Sequence, residues 1–302
     1  RRSHHVGGML WRSTVVIAML GGIVGLGTSK PMLDMLQTKY PRMMGIMPIF
    51  VKRDSQTFNA SSLPSLQGKT ALITGANVGV GLSTAKHLGR KGMRVILACR
   101  NPSKCQAAIE SLVKDGVPRE HLVAADLDLS SLESTAAFSS KLLSQEKKLD
   151  VLVLNAGIGP VPHQLTKDGF ETIFHTNHIG NFLLWKLISP LVQRTAEQHG
   201  EARVVVLSSS AHYHAKGVPL TVEEMNRAHR GLADSIGGAY GNSKLGNLLF
   251  SQELAERSSS LPLFVNAAHP GLVASNFAVN SVDETADTLK GVPLVGGLLT
   301  PV

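Results

Sequence analysis

Tyr240 and Lys244 stand four residues apart at the head of an amphipathic run that extends to Arg257. On an α-helix that spacing puts the phenol and the ammonium on one face. A cation beside a phenol favours the phenolate and draws its pKa down from about 10 toward the range useful for proton transfer. Tyr240 is thereby a candidate acid/base, with Lys244 as the group that tunes it. Such pairs also arise by chance on solvated helices, so the chemistry depends on what the rest of the chain places around them.

From Lys69 onward, short β-branched runs alternate with helical segments, the pattern of a parallel sheet flanked by helices. The first strand, Thr70 to Thr74, enters Gly75-Ala76-Asn77-Val78-Gly79-Val80-Gly81 and then a helix to about Arg90. Glycines at 75, 79 and 81 permit a tight turn, close backbone approach to a pyrophosphate and tight helix-to-strand packing, with the helix N-terminus facing the phosphates. Because the pattern follows a strand and opens a helix, dinucleotide binding outweighs a plain turn. The second strand, Arg94 to Ala98, ends in Cys99-Arg100-Asn101, where an NAD site would present an acidic residue to the ribose 2′-hydroxyl. The guanidinium of Arg100 suits a 2′-phosphate instead, which favours NADP(H); its plainer reading is a surface charge.

The third strand reaches Asp126-Leu127-Asp128-Leu129. A carboxylate there can accept from the adenine amino group, and Asp128 is favoured over Asp126 because Ser130 begins the next helix directly after it. The fourth strand, Leu149 to Leu154, is almost uniformly apolar, as a strand covered on both faces should be, and closes with Asn155-Ala156-Gly157, small enough for a cofactor to lie against. Asp168 to Arg194 reads as one helix carrying Asn177 among apolar neighbours, so that amide is either a structural buckle or the holder of an ordered water. His175 and His178 flank it without metal-ligand spacing and read as packing or surface histidines. The fifth strand, Arg203 to Leu207, runs into Ser208-Ser209-Ser210, at the edge where open α/β sheets bind ligands; the sixth, Leu263 to Ala267, ends in His269-Pro270-Gly271 and continues to Ser275.

In this order, the Thr74–Gly81 turn, Asn155-Ala156-Gly157, Asn177, the serine cluster, Tyr240/Lys244 and Pro270-Gly271 resemble the short-chain dehydrogenase/reductase family from Lys69 to about Phe277. Ala98-Cys99-Arg100, Thr176-Asn177-His178-Ile179-Gly180, Ser209-Ser210-Ala211-His212 and Tyr240 through Asn247 are similar to its retinol dehydrogenase branch. Plant-type protochlorophyllide reductases share part of the pattern, but a cysteine expected near their active site has no counterpart after Cys105.

The resemblance implies a catalytic set of Asn177, Ser209, Tyr240 and Lys244. In it Tyr240 exchanges the proton, and Ser209 rather than Ser208 or Ser210 binds the substrate oxygen. Lys244 holds the nicotinamide ribose and lowers the phenol pKa, while Asn177 holds a relay water. Cofactor contacts are implied for Gly75, Asn77, Gly79, Val80, Gly81, Arg100, Asp128, Leu129, Asn155, Ala156, Gly157, Tyr240, Lys244, Pro270 and Gly271, with Val273 and Ser275 at the carboxamide; no metal site is implied. The family continues past the sixth strand with a substrate-covering segment and a seventh strand. Only about 25 residues follow Phe277 here, so a C-terminally incomplete domain is expected; with a first residue that is not Met, the chain reads as a fragment or an incomplete gene model.

The net charge of +8 first suggests nucleic acid. Residues 1–69 hold nine Lys/Arg against two Asp, however, leaving 21 basic against 20 acidic residues in the remainder. The basic excess belongs to the arm, and no nucleic-acid partner is expected. From Ser13 to Ser29 run 17 uncharged residues behind Arg12, at the lower edge of what spans a bilayer. That run fits a membrane anchor, a cleaved targeting segment or a buried helix, in that order. The sequon Asn59-Ala60-Ser61 bears on glycosylation only if this region is luminal. Cys99 and Cys105 lack metal-ligand or framework spacing and read as reduced thiols in a reducing compartment.

The sequence therefore predicts a Rossmann-type doubly wound α/β fold: residues 1–30 an apolar anchor or targeting segment, 31–66 a connector, 67–302 the NADP-binding domain. The expected function is NADP-dependent interconversion of a small lipophilic alcohol and its aldehyde or ketone, in an enzyme attached to the endoplasmic reticulum or another organelle membrane. The rival reading is a catalytically idle nucleotide-binding scaffold or redox sensor in a membrane assembly. The intact Asn/Ser/Tyr/Lys set argues against it, and the short C-terminus argues for it.

Overall fold

The computed structural model describes residues 60–271. The apolar run 13–29, the sequon, Val273, Ser275 and the region of any seventh strand lie outside the described residues. Six strands form one sheet: β1 Thr70–Thr74, β2 Arg94–Cys99, β3 Leu122–Asp126, β4 Val151–Leu154, β5 Ala202–Leu207 and β6 Leu263–Ala268. Their order is β3-β2-β1-β4-β5-β6, and every pairing is parallel. The connecting helices are α1 Gly79–Arg90, α2 Pro102–Lys114, α3 Leu132–Gln145, α4 Gly180–His199 and α5 Gly241–Arg257.

The period-two alternation of a strand divides the core into two layers. Ala71, Ile73, Val95, Leu97, Val151, Val153, Val205 and Leu207 pack on one face with residues of α1 and α2. Leu72, Ile96, Ala98, Leu152, Leu154, Val204 and Val206 pack on the other with residues of α3 and α4. β1, β4 and β5 are buried along their whole length, which is why Ala71–Ile73, Val151–Leu154 and Val204–Leu207 read as apolar runs. Buried Asp150 accepts from the Thr70 N–H at 2.7 Å, fixing the start of β1 to the entry of β4. Leu63 and Leu66 are buried, and the Leu66 N–H donates to the Lys91 carbonyl at 2.7 Å, so contact with the domain begins ahead of residue 67.

One helix departs from its sequence expectation. The helix expected over 168–194 is a short turn Thr172–Phe174, a π-helical turn His175–Ile179 and then α4. Ahead of Tyr240, Gly231–Ser235 is helical, and residues Ile236–Tyr240 kink at Gly238 before α5 begins. Cys99 and Cys105, expected as reduced thiols, are joined in a disulfide with Cα atoms 5.9 Å apart. The end of β2 and the first turn of α2 fold back on each other across Arg100 and Asn101, which brings two residues six apart into bonding range. Among the described residues, no helix is long and apolar enough to cross a membrane.

Candidate active site

With all strands parallel, Thr74, Cys99, Asp126, Leu154, Leu207 and Ala268 end along one edge of the sheet. Strand order reverses between β1 and β4, and the crevice at such a switch is where ligands bind in open α/β sheets. The glycine turn lies on the β1 side of it. Gly75 has φ +65°, open to glycine and costly for other residues. A Cβ on Gly81 would stand 2.6 Å from the Gly75 carbonyl oxygen and 2.7 Å from Asn155 Nδ2, so that position admits no side chain without moving backbone.

Asn101 and Ser131 cap α2 and α3 with side-chain oxygens, but Val78 gives α1 no side-chain cap. The N–H groups at the start of α1, around Gly79, Val80 and Gly81, therefore suit an anionic pyrophosphate. Asn77 sits in the turn just before them. On the β4 side, Asn155 Nδ2 donates to the carbonyls of Thr74 at 2.8 Å and Gly75 at 3.2 Å. The N–H groups of Asn155 and Ala156 both donate to Thr74 Oγ1, at 3.0 and 2.9 Å. The ends of β1 and β4 thus form one rigid unit, and Thr74 is a member that its sequence position does not disclose.

Arg100 is exposed directly after β2. Of the two carboxylates weighed for the adenine, Asp128 turns the chain into α3: its Oδ1 accepts from the Ser130 N–H at 2.9 Å and from Ser130 Oγ at 2.6 Å. Asp126 is exposed at the end of β3, opposite Cys99 in the ladder. Leu129 is buried, with its carbonyl packed against Gly180 at the start of α4.

Tyr240, Lys244, Ser209 and Asn177 converge around the end of β5. Ser209 hydrogen-bonds the Tyr240 phenol. Ser208 turns the other way, its Oγ donating to the Lys244 carbonyl at 2.8 Å, so adjacent serines divide between the phenol and the backbone of α5. Lys244 Nζ stands 5.7 Å from the centre of the Tyr240 ring and donates to the Leu207 carbonyl at 3.3 Å. Burial pushes this lysine down to about 8. The sequence expectation that Lys244 depresses the phenol is reversed: burial holds Tyr240 above its ordinary value, and only the Ser209 hydrogen bond opposes it. The phenol's own burial disfavours its charged form and sets the direction of the shift.

Asn177 is fully buried in the π-helical turn. Its Oδ1 accepts from the Ile158 N–H at 2.7 Å, while Nδ2 donates to the Ile158 carbonyl at 3.0 Å and to Ser243 Oγ at 3.1 Å. Its carbonyl accepts from Asn181 Nδ2 at 3.0 Å and Asn247 Nδ2 at 3.1 Å. Asn247 Nδ2 also reaches the Leu207 carbonyl at 3.0 Å. With both amide hydrogens committed, Asn247 Oδ1 can only accept, and its 3.0 Å contact to His178 Nδ1 assigns the proton to that nitrogen. Burial holds His178 below its ordinary pKa, in keeping with a neutral ring, and it packs against Phe174 and Phe182. Asn181, Ser243 and Asn247 were not distinguishable in the sequence, where nothing marks an asparagine as buried.

Gly157 lies against this group: a Cβ there would stand 2.9 Å from Asn177 Oδ1 and 3.3 Å from Lys244 Nζ. Pro270 and Gly271 follow β6, whose Ala268 carbonyl accepts from the Ser208 N–H at 2.8 Å.

A doubly wound parallel sheet with an uncapped glycine turn at its switch point, and a Ser/Tyr/Lys cluster on the same edge, defines a class of dinucleotide-dependent oxidoreductases. Residues 69–220 match the family described as short chain dehydrogenase, and the chain belongs to that family. Among curated proteins, it is 41% identical over 216 residues to mouse retinol dehydrogenase 12, covering 72% of this chain and 65% of that one. Human retinol dehydrogenase 13 is 38% identical, with 70% of this chain and 61% of its own covered. The chain thus spans a little under two thirds of these relatives' length. Among solved structures, an uncharacterised protein from Mycobacterium paratuberculosis superposes with a TM-score of 0.58 at 38% identity, over 74% of this chain and 75% of that one. The Pseudomonas aeruginosa RhlG/NADP active-site complex gives 0.56 at 26% identity, over 76% and 79%.

Proposed function

We propose that the intact protein is an NADP-dependent oxidoreductase interconverting a lipophilic alcohol and its aldehyde or ketone. The convergence of Ser209, Tyr240 and Lys244 at the sheet edge, beside the glycine turn, carries this reading. Bound NADP(H) supplies or accepts the hydride. In reduction the Tyr240 hydroxyl gives its proton to the carbonyl oxygen as the hydride reaches the carbonyl carbon; in oxidation the phenol takes the alcohol proton. Ser209, already bonded to the phenol, holds the same substrate oxygen. Lys244 holds the nicotinamide ribose and resupplies the proton through its own titration near the functional range. Asn177 acts as a positioning residue: with its carbonyl already receiving two amide donors, it orients Ile158 and the start of α5.

The preference for NADP rests on Arg100 at the end of β2. Mouse retinol dehydrogenase 12 and the RhlG/NADP complex support retinoid-like substrates and NADP respectively, each by resemblance. Membrane attachment through residues 13–29 belongs to the same proposal. The test is NADPH oxidation by the full-length protein against retinal, steroid ketones and aliphatic aldehydes, with Tyr240→Phe as control. General acid/base catalysis is worth about 10²- to 10⁴-fold, so the variant should lose turnover by that order while retaining NADPH binding. Near-normal turnover would remove Tyr240 from the chemistry.

A further inference from the structure

We propose that His163, Glu171 and His229 form a binding site for a divalent transition-metal cation of the zinc type, outside the dinucleotide crevice. One ring nitrogen from each histidine and a carboxylate oxygen of Glu171 lie within 4.8 Å of one another. His229 Nε2 is 3.5 Å from Glu171 Oε1, with the two side chains only 5% and 0% exposed. Zinc binds imidazole nitrogen and carboxylate oxygen at about 2.0–2.2 Å, which places tetrahedral ligand atoms roughly 3.4 Å apart. The His229–Glu171 pair already has that spacing, and closing the His163 nitrogen from within 4.8 Å to the same spacing completes the set.

The chemistry of the buried atoms selects a cation over a proton. His163 Nδ1 and His229 Nε2 are both buried without a hydrogen-bond partner. Glu171 is a fully buried carboxylate, and a buried charge is costly unless it is paired. Protonating His229 would pair Glu171 with one imidazolium and leave the His163 nitrogen unsatisfied. A single cation engages both nitrogens and the carboxylate together. Two-histidine, one-carboxylate sets suit zinc and, with open positions, other divalent transition metals.

The carboxylate is also held from behind, as metal-binding groups commonly are. Glu171 accepts from the N–H groups of Ile173 at 3.0 Å and Phe174 at 2.7 Å. Its own N–H donates to Asn226 Oδ1 at 2.8 Å, and Asn226 Nδ2 donates to the Gly169 carbonyl at 2.7 Å. A bound ion would therefore clamp the loop after β4 and the segment leading to Asn177 onto the connection that leads to Tyr240. His229 lies 58 residues after Glu171, so the set is assembled by topology rather than by local spacing.

The experiment is zinc titration of the tag-free, full-length protein after chelator treatment, by calorimetry and thermal unfolding, beside His163→Gln, His229→Gln and the double variant. One site per chain is expected, with a zinc-dependent rise in Tm. Loss of a partner that merely supports a ligand costs about 10- to 100-fold in metal affinity. Removal of a ligand should cost at least the upper end of that range and flatten the Tm response. Equal zinc binding by wild type and double variant would overturn the proposal and assign the metal to exposed histidines such as His199 and His214. Absence of saturable binding would overturn it as well, leaving the cluster a buried ion pair. Should the variants not fold, Co²⁺ titration of the wild type decides: strong visible absorption from a low-coordinate site supports the proposal, and its absence overturns it.

Discussion

Replacing Lys244 with methionine isolates the cost of burying one ammonium. Desolvation alone takes this lysine from 10.5 to about 8. Each pKa unit corresponds to about 1.4 kcal/mol between the two protonation states, so the charged side chain destabilises the folded chain by about 3 kcal/mol. Methionine keeps an unbranched apolar stem and removes the charge. It leaves no acceptor stranded, because the Leu207 carbonyl retains its 3.0 Å bond from Asn247 when the 3.3 Å bond from Nζ is lost.

The folded-state value lies below the unfolded one, so the unfolded chain binds more protons between pH values of about 8 and 10.5, and wild-type stability rises with pH across that window. Below it the penalty is full and constant. Urea unfolding at neutral pH should therefore find Lys244→Met more stable than wild type by about 1–3 kcal/mol, while its dinucleotide binding and turnover fall. The gain should shrink toward zero as the pH passes through the window. A variant less stable than wild type at neutral pH, or a difference that ignores pH, would show that burial does not control this lysine.

Three further outcomes are expected. Arg100→Asp should shift cofactor preference from NADPH toward NADH by roughly tenfold or more, since a charge-assisted hydrogen bond is worth about 1.5–3 kcal/mol and the new carboxylate repels a phosphate; unchanged affinity ratios would make Arg100 a surface charge only. Gly81→Ala should cost about 1–3 kcal/mol of stability and weaken dinucleotide binding, because its Cβ meets a backbone carbonyl and a fixed amide rather than a flexible side chain; full retention of both would refute the packing described for that turn. In the full-length protein, Asp in place of Val16, Ile17 and Ile23 should release it from membranes, each charge costing about 2.5–3.5 kcal/mol at a helix centre in lipid; a wild type that fractionates as wholly soluble would refute the anchor.

The strands and the Tyr240/Lys244 pair were legible because each is a local pattern. Val151 to Leu154 and Val204 to Leu207 are apolar since both faces are covered, and the i, i+4 spacing sets the phenol and ammonium on successive turns at the start of α5. What the sequence hid depends on residues distant in the chain. The phenol pKa was misjudged because burial of Tyr240 itself cannot be read from its sequence neighbours. Asn181 and Asn247 look like surface amides until topology buries them against the Asn177 carbonyl. His163 and His229 come together only through the loop after β4 and the segment before α5, and Cys99 and Cys105 only through the fold-back between β2 and α2.

The π-helical turn at His175–Ile179 has a consequence for how this site can be lost. An i→i+5 turn holds one residue more than the regular helix around it, and that surplus residue aims Asn177 at Ile158 while α4 continues undisturbed. Deleting a single codon there would let the helix close into ordinary α geometry, a locally better structure. Everything upstream would turn by about 100° relative to α4. Asn177, or whichever residue then took its place, would point elsewhere, and the buried carbonyls and amides it joins would part. A lineage that lost a codon there other than that of Asn177 could thus abandon the chemistry with Asn177, Ser209, Tyr240 and Lys244 all still encoded, so an inventory of those four residues would go on reporting an active enzyme after the site had ceased to exist.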